Sequence, residues 1–179
     1  MTDDGAMDYE KQLVPTRQYS LFAKILHWGF VVLFIYGILK QVDNIAQLAN
    51  VALLRFELLF AFVLLVLLAA RFGYMTKTQV SSLPKETPYF QKLLARLVHL
   101  GMYLALSSIA LSGILIGLLY WMGIKTGFFI ALVIYIHEVS VTVCYWLIGL
   151  HVAAAIFHRL KNDGVWSSMV PVWKETTTK

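Results

Sequence analysis

The chain has 179 residues, of which 59% are apolar and 14% charged, and its mean hydropathy is +0.71. A soluble domain carries about 25% charged residues, so this composition excludes disorder and an ordinary soluble enzyme and indicates a membrane protein. The formal charge of +5 does not point to nucleic acid, because Lys and Arg form no basic stripe with interleaved aromatics and instead flank the apolar blocks.

The opening stretch MTDDGAMDYEKQL is acidic and precedes no short apolar segment with a small-residue cleavage site. No cleaved leader is expected, and the first span should itself direct insertion. That span is read at 22–41, the second at 51–71, the third at 95–121 and the fourth at 128–158. Each is long enough for a hydrocarbon core about 30 Å thick. Pro15, Pro84, Pro88 and Pro171 all fall outside the spans, as unbroken helices require. The polar connection 72–94 is read as a loop with a short interfacial turn around Pro88 to Leu94. The expectation is one all-α domain over 1–179, an integral membrane four-helix bundle running up-down-up-down.

Four crossings return both termini to one side. Twelve of the fifteen basic residues lie on that side, and only Lys40, Arg55 and Lys125 on the other. The positive-inside rule therefore predicts cytoplasmic termini. Trp28, Trp121, Tyr19, Tyr36 and Tyr120 are placed near the interfaces as an aromatic belt, while Trp146 lies deeper and is expected to pack inside. Cys144 is the single cysteine, so no intrachain disulfide can form. Small residues such as Ser112, Gly113 and Gly117 suit close helix approach.

Histidines occur at 27, 99, 137, 151 and 158, every one within or at the end of a predicted span. An imidazole in hydrocarbon needs a partner, which makes such residues candidates for cofactor binding or interhelical hydrogen bonds. His137 and His151 share nearly one helix face but stand about 21 Å apart along the axis. One metal cannot use both, whereas two stacked haems can each take one. His27 and His151 match in depth when their helices pack antiparallel, which makes them the best ligand pair. His99 lies at a comparable depth and is read either as a contact to haem propionates or a quinone carbonyl, or as a satisfied interhelical histidine; His158 is read as interfacial. No histidine is available opposite His137. Arg55 and Glu57 stand there instead, and a guanidinium has no lone pair for iron. Arg55 is read foremost as a structural ion pair with Glu138 or Glu57, with a propionate or lipid headgroup as the alternative.

Three segments carry a family resemblance: RQYSLFAKILHW (17–28), LLARLVHLGMYLALSSIALSG (93–113) and HEVSVTVCYWLIGLHVAAAIFHRLKNDGVWSSM (137–169). Over roughly 17–170 the chain resembles the prokaryotic cytochrome b-561 family and, more distantly, the cytochrome b subunits of nickel-iron hydrogenases and formate dehydrogenases. The resemblance implies His27 and His151 as axial ligands of a haem b near the cytoplasm, and His137 as a ligand of an outer haem. The outer partner is missing: RFELL (55–59) is the best match to the segment that usually supplies it, with Arg55 at or near the histidine position. One haem b is therefore expected, and a second lacks its second ligand. By motif position and predicted depth, Arg17, Ser20, Lys24 and His99 are the candidate polar contacts around the cytoplasmic haem.

The implied activity is one-electron transfer at the bacterial inner membrane, linked to ubiquinone or menaquinone and to a partner redox complex or homo-oligomer, with no nucleic acid. No bond-making site is visible, so the residues leave open whether the chain is an enzyme. The competing reading is a non-catalytic accessory or assembly subunit of a larger respiratory or photosynthetic complex, retaining one haem or none. A transporter is a weaker third, since no inverted repeat or discontinuous helix pair occurs.

Overall fold

The computed structural model describes residues 18–42, 44–79, 81–84 and 86–175. They form an all-α structure, and four of its helices are long and apolar enough to cross a membrane, as in a membrane four-helix bundle. α1 (Leu21–Leu39) starts where the Ser20 hydroxyl accepts the Ala23 N–H at 3.1 Å, the ordinary serine N-cap. A short 3-10 helix (Ile45–Ala49) leads to Asn50, whose side chain accepts from Ala52 and Leu53 and opens α2 (Val51–Thr78). α3 (Tyr89–Trp121) begins directly after Pro88. α4 (Phe128–Lys161) ends at Asn162, which turns left-handed with φ 57°, and the short α5 (Val165–Met169) follows.

Two boundaries differ from the sequence reading. α2 continues past 71 to Thr78, and the interfacial turn expected around Pro88 to Leu94 is instead the first turn of α3. Hydropathy marks where lipid ends, but a helix has no reason to stop there while its residues remain good helix formers and no proline intervenes.

α3 packs on both α4 and α2, and α1 packs on α2. The central cluster joins Phe30, Leu64, Leu68, Ala105, Leu106 and Cys144, one or more from each long helix. The free Cys144 is fully enclosed in it. Large apolar side chains such as Val32, Leu59 and Leu104 point outward, as expected of a surface in contact with lipid. Trp146 joins them at 74% exposure, against the expectation that it packs inside. Lipid tails solvate an indole's apolar body as well as a protein core does, so depth alone does not decide which way it turns.

Serines hold α3 to α4 by side-chain hydrogen bonds, with Ser108 Oγ 2.7 Å from Ser140 Oγ. Gly117 allows α2 and α3 to meet: a Cβ there would fall 2.7 Å from Leu58 Cδ2 and 2.9 Å from its Cγ. At Gly113 the nearest atom, His137 Cε1, would be at an ordinary 3.6 Å. Gly117→Val is expected to cost about 1–3 kcal/mol by overpacking, read as a lower melting temperature in detergent, while Gly113→Ala should leave that temperature nearly unchanged.

The C-terminal segment folds back over one end. Trp28 Nε1 donates to the Met169 carbonyl at 3.2 Å, tying α1 to α5. The Glu175 carboxylate accepts from the Gly164 and Ser167 amides at 3.0 and 3.2 Å.

Candidate functional site

Each long helix sends one nitrogen-bearing side chain to a common point at this end: His27 from α1, Arg71 from α2, His99 from α3 and His151 from α4. The ring centres of His27 and His151 are 6.4 Å apart with planes at 65°. Those of His99 and His151 are 5.0 Å apart at 82°. His27 and His151 are half-buried, whereas His99 is exposed.

Hydrogen bonding fixes the tautomers of two of these rings. His99 Nδ1 lies 2.6 Å from the Ala95 carbonyl, which can only accept, so Nδ1 carries the proton and Nε2 keeps its lone pair. His27 Nδ1 lies 2.8 Å from Arg71 Nη2, which can only donate, so here Nδ1 is the acceptor and Nε2 carries the proton. The Arg71 guanidinium also stands over the Tyr103 ring at 5.8 Å, and its Nε is enclosed without a hydrogen-bond partner. Among the described residues the ion pairs are His158 with Asp163 and Lys161 with Asp163, so no carboxylate balances Arg71.

A haem places its iron between two axial nitrogens. With a metal–nitrogen distance of about 2 Å on each side and roughly 1 Å more from nitrogen to ring centre, two axial imidazoles have centres ~6 Å apart. The His27–His151 separation fits this, and the 5.0 Å between His99 and His151 falls short of it. Among the described residues no group of three or more His, Cys, Asp or Glu is arranged to hold a bare ion. A haem asks the protein for only one or two axial ligands.

The other candidates lie apart. Ser20 is occupied as the α1 cap, with its hydroxyl 2.9 Å from the Tyr74 hydroxyl and its amide donating to Gln79 Oε1 at 3.2 Å. Lys24 Nζ donates to Gln18 at 3.2 Å. Arg17 lies outside the described residues. His158 Nδ1 is 2.7 Å from Asp163 Oδ2, beyond the cluster on α4.

His137 faces a second space, a cavity of about 300 Å³ also lined by Glu57, Gln41, Phe60 and Gly113. Its Nδ1 is 2.9 Å from Ser112 Oγ. The Ser112 hydroxyl proton is directed at the Ser108 carbonyl, so its oxygen accepts from His137 and leaves that ring's Nε2 lone pair free. The expected ion pair of Arg55 with Glu138 or Glu57 is absent: Arg55 is exposed and is not among the residues lining the cavity, whereas Glu57 is one of the α2 residues that line it. Residues two apart differ by about 200° around a helix, so these two side chains leave α2 on opposite faces.

Arg71 is the site residue that sequence reasoning missed. It stands where the apolar run of the second span stops, so its charge reads as a topology signal. With α2 continuing to Thr78, it lies two turns inside the helix and turns toward the histidines.

A family model described as prokaryotic cytochrome b561 matches residues 18–172 of the chain, which takes in all of the long helices and every histidine. No curated protein and no solved structure matches it.

Proposed function

The chain belongs to the prokaryotic cytochrome b561 family, and on that footing we propose that it is a membrane electron-transfer protein holding one haem b between His27 and His151. The observation that carries this reading is the 6.4 Å between the two imidazole centres, on helices far apart in sequence. When bound, the haem supplies a reversible one-electron couple. The chain's own residues then have separate tasks. His27 and His151 would hold the haem, and with two protein nitrogens on it little room would be left for a substrate at the iron. For His27 to coordinate through Nε2 as a neutral imidazole, its proton must sit on Nδ1, which requires Arg71 to let that nitrogen go. Leu64, Leu68 and Ala105, packed with Phe30 and Cys144, form the apolar floor below the histidines.

The site lies at the end where the start of α1, the end of α2, the start of α3 and the latter part of α4 meet. This supports up-down-up-down passage of a single domain. With the basic residues gathered at that end, it supports cytoplasmic termini in a bacterial inner membrane. Ubiquinone or menaquinone at that surface is the exchange partner we favour, with His99, exposed beside His151, as the polar group for its carbonyl. Ser20 and Lys24, engaged with Tyr74 and Gln18, are not assigned to the haem, and Arg17 lies outside the described residues. A reduced quinol added to purified protein in detergent should reduce the haem within the mixing experiment. A haem that dithionite reduces but quinol does not would remove quinone from the account.

Two observations favour restricting the outer cavity to something other than a bis-histidine haem: among the described residues His137 is the one imidazole lining it, and a carboxylate, Glu57, lines it too. His137→Ala is accordingly expected to leave haem content and the low-spin spectrum unchanged, checked by absorbance per mole of protein. The same outer half gives the second reading its support, that of an accessory subunit whose electron path does not cross the membrane.

A further inference from the structure

A guanidinium withdrawn from water into a helix bundle needs an anion or a full set of acceptors. Arg71 has neither: one nitrogen rests on a histidine, its Nε is enclosed and unpaired, and no carboxylate among the described residues pairs with it. The partner it has is also the wrong one for a ligating His27, since donation to Nδ1 keeps the proton on Nε2. An incoming anion would correct both faults together, because a fork of N–H groups binds a carboxylate more strongly than it binds an imidazole nitrogen.

We propose that Arg71 is the anchoring residue for a propionate carboxylate of the haem, and that in taking it Arg71 releases His27 Nδ1 to carry the proton that a neutral axial imidazole needs. The proposal rests on the haem reading above. The proton count is unchanged: His27 gives up the proton on Nε2 as that nitrogen turns to iron and takes one on Nδ1. Arg71 is a positioning residue in this scheme, holding the edge of the macrocycle and setting the tautomer of its ligand. A lipid headgroup phosphate offers similar chemistry. Propionate is favoured because the guanidinium touches the ring of a proposed axial ligand, within the site rather than at its lipid-facing rim.

The test is a thermodynamic cycle on haem affinity. Apoprotein, wild type and Arg71→Gln, is titrated in detergent with haem b and with its dimethyl ester, which lacks both carboxylates. Wild type should bind the ester roughly tenfold to a hundredfold more weakly than haem b, and Arg71→Gln should discriminate little between them. Equal loss of affinity for both haems on substitution would overturn the assignment and give Arg71's anion to lipid. Arg71→Lys, which keeps the charge and loses the fork, should discriminate to an intermediate degree. If Arg71→Gln does not fold, wild type binding both haems alike would by itself overturn the proposal. The release of His27 has its own readout. Removing a cation beside a propionate favours Fe(III) about tenfold, a drop of about 59 mV for a one-electron couple. If the guanidinium instead stayed on Nδ1 and left His27 an imidazolate, Arg71→Gln would raise the potential. A wild-type protein that binds no haem would defeat the haem reading at the first step, separately from these outcomes.

Discussion

Substituting alanine for His151 is expected to remove the low-spin spectrum and nearly all bound haem, the largest effect of any single change in the chain. His151 is the one histidine within reach of both others, 6.4 Å from His27 and 5.0 Å from His99, so every pairing the cluster allows uses it. Its loss also cannot be covered by rearrangement of α4, since the next histidines on that helix are committed: His158 to Asp163, and His137 to Ser112 about 21 Å away along the axis. Haem content of the purified variant, compared with wild type at equal protein, checks this. Retention of a full complement of low-spin haem would exclude His151 as a ligand.

The second large effect separates His27 from His99. Distance favours His27, whose ring stands at the separation two axial imidazoles require. Tautomer favours His99, whose Nε2 lone pair is already free, while that of His27 is not. Distance is the stronger constraint here. A tautomer changes when a proton moves, whereas His99 would have to draw back about 1 Å from His151, straining its 2.6 Å hydrogen bond to the Ala95 carbonyl. His27→Ala should therefore convert the haem to a high-spin, weakly held form, and His99→Ala should keep the low-spin bands. The reverse pattern would transfer the ligand role to α3.

Much of this was legible in the sequence because membrane helices announce themselves. Apolar runs without proline located all four spans, and the starts of α2 and α4 at Val51 and Phe128 agree with the hydropathy reading. Histidine depth put His27, His99 and His151 at one level, and their rings do lie together, because depth follows from distance to the span ends. Rotation about each helix was not legible. Trp146 turned outward, and Arg55 and Glu57, two residues apart in a motif match, took opposite faces. Arg71 was hidden for a related reason: a charge at the end of an apolar run looks the same whether the helix stops there or continues. Its contact with His27 spans 44 positions and two helices, which no local pattern encodes.

The central claim is one haem b per chain at the end where His27 and His151 meet, with the His137 cavity holding none. Pyridine haemochrome quantitation on purified protein, referred to protein mass by amino-acid analysis, tests it most directly. A ratio of about one haem b per chain is the predicted result. A ratio of two would show that the outer cavity is filled despite its missing histidine. A ratio of zero in protein expressed with ample haem would contradict the electron-transfer account altogether.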